Sequence, residues 1–502
     1  MHSVFGKQTA PLASMSNIGM PAAIVLAGLL VLAACGADEQ APAGTGGTAG
    51  GGAAGTGGTG TGGDGEGGAA TTELTTSVTQ YGITWTFDEA QQVGQFATGD
   101  TFVVTPGSGV TVSSVTPAGD PGRHGSMINP ITGAGQGYDD RLNDYDAALA
   151  IAFPHDCSGG DSLVTAVSLE GADYDCNDGA GVTDLRGVCI GAGHASIKTA
   201  AVLTFVDQAP PASAFRPPFV GDDKPLYTTD QIRTDLLTEL VAPASLPDIA
   251  YYERGLERPW LTHLTGWTCR QMHPVQNMLN YHREIGNFLS NASLVLLTDA
   301  PDKDLLLRRY AQIGLDQYHM SLLGPGDSAF NKWPVLFTGL VLDEPEIRDV
   351  FVDDRSQTLA RGDDKFYFWE DHQSTLESAI VPAGETWTGA TVFFRKQSGN
   401  TEHEHLHPSE WAGVDNGGGL KQESYRHCCD SIPHIGMALA GMLMSAQTEW
   451  DNPALFAYAD RWMTEPFDTE FLPIVQAEAG DVSSAAQSPG SEFIGDMWSD
   501  YR

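Results

Sequence analysis

Positive charge is scarce in this chain: 502 residues carry 26 Lys+Arg against 64 Asp+Glu, a formal net charge of -38. So large a negative excess repels phosphate backbones and anionic headgroups, which excludes nucleic acid and direct membrane-surface binding as functions of the whole molecule. Only 7 of the cations lie at or before Lys224 and 19 lie after it, so any local positive field belongs to the C-terminal half. Cysteine is sparse as well, with seven residues and no CxxC pair, which argues against a zinc site built on paired thiolates. Beyond residue 32 the apolar runs, such as Ser293–Thr298, are too short to span a bilayer. GxSxG, P-loop, dinucleotide-fingerprint and EF-hand patterns are all missing, which takes weight from serine hydrolysis, phosphoryl transfer and nicotinamide chemistry.

What is present begins with an export signature. Lys7 precedes the apolar run Met20–Leu32, which has signal-peptide length and ends in Leu32-Ala33-Ala34-Cys35. Small residues directly before a cysteine resemble a bacterial lipobox, so residues 1–34 read as a lipoprotein signal peptide and Cys35 as the lipidated first residue of the exported chain. Removing 1–34 deletes one cation and no acid, so the acidity belongs to the exported part. Residues 35–73, rich in Gly, Thr and Ala, hold almost no side chain able to bury area and read as a disordered tether, with a reach of roughly 30 to 35 Å. The expected location is a bacterial membrane, outer membrane or cell surface, with membrane contact only through the lipid on Cys35.

Two further periods follow. Between 74 and 210 short alternating runs rich in β-branched and aromatic residues (Tyr81–Phe87, Thr101–Thr105, Val110–Val115, Ser162–Ser168, Ala200–Val206) predict an antiparallel, β-sandwich-like domain. The proline pairs Pro210-Pro211 and Pro217-Pro218 mark 211–228 as a connector crossing the surface. From 229 to 475 spacings of three and four predict a mainly α-helical domain, with helices over Asp230–Val241, Val275–Leu289, Asp302–Leu322 and Ile435–Met444 and a strand pair at Lys365–Trp369 and Ala390–Phe394. Residues 476–502 read as a C-terminal tail. Cys176 and Cys189 bracket an Asp/Gly-rich loop that a disulfide would staple in an oxidising compartment.

Three segments of the helical half concentrate polar chemistry. In the first, Pro274 stands at an expected helix start, and Asn277, Asn280 or Tyr281, and Glu284 stack on one face beside His273 and Arg283. In the second, His403, His405 and His407 alternate as on a strand and could grip a divalent metal such as zinc; Glu410 and Trp411 follow. In the third, Tyr425 adjoins Arg426 where a helix is expected to open, a pairing in which a cation stabilises a phenolate or neutralises a substrate carboxylate. Trp260, Trp267, Trp333, Trp369, Trp387 and Trp411 all fall in this half, and aromatic rings in a cleft stack on sugar faces.

Arg123–Pro130, Gln136–Asp139, Glu257–Trp260, Lys332–Pro334, Glu410-Trp411 and Tyr425–Cys429 resemble a group of exported bacterial proteins without an assigned activity. A β domain joined to a helical one that carries Asn, His, Tyr and Arg also looks like polysaccharide lyases of the α/α-toroid type, although there the toroid more commonly comes first. That resemblance implies β-elimination on a uronic-acid glycan. Tyr425 or Tyr281 would be the base, His273 or His405 its partner, and Asn277, Arg283 and Arg426 would surround the carboxylate; Trp267, Trp333, Trp411 and Glu410 would complete the substrate site. Two other readings stand beside it: glycoside hydrolysis by a carboxylate pair, Glu404 and Glu410 first, and a glycan-binding lipoprotein without catalysis. The expected partner is a polysaccharide or oligosaccharide, no cofactor is required, and the segments around His273, His405 and Tyr425 are expected to converge on one pocket.

Overall fold

A computed structural model describes residues 68–105, 107, 109–177, 181–190, 196–265, 269–279, 281–324, 332–352, 365–372, 386–394, 407–410, 431–479 and 487–502. Within it the chain has mixed α and β content, with a curled sheet first and helices towards the C-terminus. Eight strands among the described residues build the sheet: β1 (Thr72–Gln80), β2 (Ile83–Gln95), β3 (Thr101–Val104), β4 (Val110–Thr116), β5 (Ser126–Ile128), β6 (His155–Cys157), β7 (Ser162–Ser168) and β8 (Ile197–Val206). Their order is β5-β7-β8-β3-β2-β4-β6 with β1 on the flank of β2; β3 and β8 run parallel and the other pairs antiparallel.

Alternation explains the two faces of this sheet. Leu163, Leu203 and Phe205 point into a core enclosed by the curl with Ile83, Trp85, Val103 and Val112, whereas Val164, Ala166 and Val202 point the other way, into the core shared with the helices. Strands β7 and β8 are therefore buried on both faces, and their sequences read as near-continuous apolar runs.

The helices are α1 (Ile249–Gly255), α2 (Cys269–Met272), α3 (His282–Leu296), α4 (Asp304–Leu323), α5 (Lys332–Val341), α6 (Pro345–Arg348), α7 (Trp369–His372), α8 (Ile432–Leu443), α9 (Gln447–Trp450), α10 (Pro453–Thr464), α11 (Leu472–Ala479) and α12 (Glu492–Tyr501). β9 (Phe366–Phe368) and β10 (Val392–Phe394) form the expected antiparallel pair. No helix among the described residues is long and apolar enough to cross a membrane.

Several expectations are corrected by where backbone N–H groups find acceptors. Residues 275–279 are turns, not the start of a helix, because Val275 and Gln276 donate to Ile197 and Lys198 of β8 (3.1 and 3.2 Å); the helix begins only at His282, after Tyr281. Residues 230–241 form short 3₁₀ turns because Arg233 donates to Val341 and Leu240 to Leu297 (2.6 and 2.8 Å), so an α ladder cannot close there. The tail expected at 476–502 instead carries α12, capped by Ser491, whose Oγ accepts from the Ile494 amide at 3.1 Å. Phe493, Ile494, Met497 and Trp498 of α12 lie buried in the helical core.

The connector is the largest correction. Residues 211–228 do not cross the surface: Ala214, Phe215, Arg216, Phe219 and Val220 are buried between sheet and helices. Proline lacks an N–H, so Pro217-Pro218 can be enclosed without leaving a donor unsatisfied, and Lys224 Nζ donates to the carbonyls of Pro218 and Val220 (2.8 and 3.4 Å). Arg216 anchors the segment. Its guanidinium is ion-paired to Asp316 of α4 (Nη1 to Oδ1 3.2 Å) and lies 3.3 Å from Asp100 in the turn before β3. One apolar cluster runs from Val164 and Val202 of the sheet through Phe215 and Phe219 to α3, α4, α5 and α8, so the core does not divide at the expected domain boundary.

Cys176 and Cys189 are joined as expected, with Cα atoms 6.1 Å apart. Closing so short a loop removes about 3 kcal/mol of unfolded-chain entropy. Among the described residues Cys157 is a free thiol; burial first, then Asp161 and Asp156, push it up to about 12, which leaves it unreactive.

Candidate functional site: a cleft at the end of α10

The expected site residues fall into three groups. Tyr425, Arg426, His403, His405, Trp267, Trp411, Glu404, Asn280 and the lipidation residue Cys35 lie outside the described residues, so the convergence expected of the segments around His273, His405 and Tyr425 lies there too.

The second group is enclosed. His273 is buried, and its Nδ1 accepts from the Leu261 amide at 3.2 Å beside the Trp260 ring. Asn277 is fully buried and donates to Gly255 O at 3.1 Å; its Oδ1 has no hydrogen-bond partner, and the gap it borders with Trp260, Leu279 and Phe288 leaves no room for a water molecule. Trp333 is a core residue, stacked on Trp450 at 5.4 Å with an interplanar angle of 14°. These three offer no face to a substrate. The structural reason is that 272–279 is drawn against β8, which turns the intended helix face inwards.

The third group is accessible but dispersed. Tyr281 caps α3 in extended conformation, and Arg283 donates to Glu284 Oε1 at 2.7 Å. His407 and Glu410 stand exposed on a 3₁₀ turn. Among the described residues no group of three or more His, Cys, Asp or Glu is placed to hold a metal ion.

His407 nonetheless leads to an open site. Its ring lies 5.9 Å from Trp387, which meets Phe471 at 5.2 Å, and Phe471 meets Phe467 at 6.5 Å. Phe467 lines a cleft of about 280 Å³ together with Trp462, Glu465, Asp468, Thr469 and Gln487.

Local sequence builds that cleft. Pro466 ends α10 after Thr464, and a wide turn over Phe467–Phe471 follows before α11. Trp462 is held from behind by its Nε1 donating to Ser488 O at 2.9 Å, and Gln487 N donates to Asp468 Oδ1 at 2.9 Å, which ties the far wall to the turn. Arg461 pairs with Glu465 one turn on (3.2 Å), donates to Val392 O at 2.7 Å and stacks against Phe393 and Tyr458. Its charge is thus committed to these partners, and among the described residues the lining of the cleft holds two carboxylates and no Lys or Arg. The Gln487 amide nitrogen has no hydrogen-bond partner. Sequence reasoning passed over these residues; the signal was the run Arg461-Trp462 to Glu465-Pro466-Phe467, an i,i+4 pair and a helix stop flanked by aromatics.

A separate polar element sits sealed in the core. His263 is enclosed by the rings of Tyr138 (5.7 Å) and Phe219 (5.5 Å), and neither of its nitrogens has a hydrogen-bond partner. Burial, helped by His273, pushes its pKa down to about 3; burial likewise takes His319 to about 4, with Lys224 adding to the effect and Asp223 opposing it. Both histidines are neutral in the folded protein and charge on unfolding in acid. Stability should therefore fall as pH drops from 6.5 towards 4, by up to about 1.4 kcal/mol per pH unit for each. Asp316 acts the other way, because burial raises it to about 6 and the folded state takes its proton first, offsetting one of the two. His263→Phe should flatten the acid limb of a urea-midpoint titration relative to the unsubstituted chain; parallel limbs would contradict this assignment.

No protein-family model, curated protein or solved structure matches the chain.

Proposed function

We propose that this is an exported, surface-tethered glycan-binding protein that takes a sugar chain in the cleft lined by Trp462, Phe467, Asp468 and Gln487. The observation that carries the reading is the composition of that cleft: an exposed carboxylate and an exposed hydroxyl, Asp468 and Thr469, stand at its rim over a base closed by the buried rings of Trp462 and Phe467, so the rim offers acceptors to the hydroxyls of a sugar. The lipobox pattern at Cys35 and the Gly/Thr/Ala-rich stretch after it, which ends before residue 73 because β1 begins at Thr72, support a body held at a membrane and working outward. Glycoside hydrolysis is a second reading, favoured by Glu465 and Asp468 lining one cleft. The lyase reading, with its β-sandwich and α/α toroid, draws no support from His273 and Asn277, which are enclosed.

Incubating the full chain with a panel of polysaccharides separates these. Retention on a glycan without product supports the binding reading, new reducing ends move it to hydrolysis, and ultraviolet absorbance of an unsaturated uronate moves it to elimination. Thr469→Ala with Asp468→Asn should weaken retention about tenfold, near 1.4 kcal/mol of lost hydrogen bonding, while shifting stability by less than about 0.5 kcal/mol because both side chains are exposed. Undiminished retention would place the sugar elsewhere.

A further inference from the structure

We infer that the cleft takes an uncharged sugar chain and rejects polyuronates; this rests on the glycan-binding reading. A uronate carries one carboxylate per residue, and a site that accepts it must supply a cation or a set of N–H donors where that carboxylate falls. The cleft supplies neither in the required number. Among the described residues no Lys or Arg lines it, and the guanidinium of Arg461 nearby is held by Glu465 and Val392 O and packed against Phe393 and Tyr458. Asp468 stands exposed at the rim, and its Oδ1 already accepts from Gln487 N. With Arg461 and Glu465 cancelling, Asp468 leaves the cleft negative inside a chain of net charge -38. A polyuronate would meet repulsion on approach and an uncompensated carboxylate on seating.

What the lining does supply suits hydroxyl groups. Asp468 accepts, and the exposed Thr469 hydroxyl, which donates to Pro466 O at 3.3 Å, keeps lone pairs to accept, so the rim presents acceptors that a sugar hydroxyl can donate to and a second carboxylate cannot. Trp462 and Phe467, both buried, close the base beneath them without adding a charge.

A matched pair of ligands isolates charge from shape: oligogalacturonate and the same oligomer with its carboxyls reduced to primary alcohols. The full-length protein should retain the reduced oligomer at least tenfold more tightly at low salt, with the ratio shrinking as ionic strength rises. Asp468→Asn should narrow the ratio by improving uronate binding. Equal or tighter binding of the uronate overturns the inference while leaving a glycan-binding protein. If neither this pair nor any neutral polysaccharide of the panel binds, the glycan reading itself falls, and this inference with it.

Discussion

Arg216→Met should destabilise the folded body by about 3 to 5 kcal/mol, the largest single loss expected among the described charged residues. The guanidinium is enclosed at 2% exposure, between Asp316 at 1% and Asp100 at 5%. A methionine of similar reach preserves much of the packing over Phe219, where the guanidinium sits 5.4 Å from the ring centroid. It leaves two buried carboxylates without a cation. Burial holds Asp316 at about 6 even with Arg216 beside it, and loss of that cation pushes it higher still, so uptake of a proton by Asp316 limits part of the cost. Urea unfolding at neutral pH measures the loss, and adding Asp316→Leu to the methionine variant should recover at least half of it, since the second substitution removes one of the stranded charges. A methionine variant within about 1 kcal/mol of the unsubstituted chain would mean that the triad is not held in the charged form.

The second large effect is expected of Trp333→Ala, at about 3 to 5 kcal/mol for a fully buried aromatic side chain truncated to a methyl. Trp333 stacks on Trp450 and meets the Phe337 ring edge-on at 5.9 Å, and Phe337 in turn packs on Tyr310, so the cavity would open between α5, α4 and α9 where several rings share a wall. Trp333→Phe should cost much less, because it keeps a ring and removes an indole N–H that has no hydrogen-bond partner. Glycan affinity of the folded fraction should be unchanged in both variants. A weakened affinity at full stability is the opposite result and would return Trp333 to the role of a sugar platform.

Strand periodicity was plain from the residues themselves. Tyr81–Phe87, Thr101–Thr105, Val110–Val115, Ser162–Ser168 and Ala200–Val206 each fall on or within one residue of a strand, except for the Tyr81-Gly82 turn that precedes β2, because alternation is a local property of side chains on a pleated backbone. Helices α4 and α8 were legible for the same kind of reason: their long runs at three- and four-residue spacing meet no competing acceptor. Failures occurred where another element claimed the backbone. Residues 275–279 and 230–241 carry helical spacing, yet their N–H groups serve β8, α5 and the C-cap of α3. Pattern reading sees the side chains of a segment and not the carbonyls that tertiary contact brings to it.

The candidate site shows the same division. Polar density along the chain pointed to His273, Asn277 and Trp333, but density says nothing about which way a segment faces, and docking against β8 and α9 turned all three inwards. The cleft at Trp462 is assembled from the end of α10, a wide turn and the segment before α12, stretches whose closeness no periodicity encodes. By itself the sequence determined the acidity of the chain, the strands β2, β3, β4, β7 and β8, the helices α4 and α8 and the Cys176–Cys189 staple, all of which rest on composition or on neighbours within one element. Only the tertiary structure decided that the proline-marked connector is a buried clasp, that sheet and helices share one core, and which polar residues reach solvent, because burial depends on what packs from outside the segment.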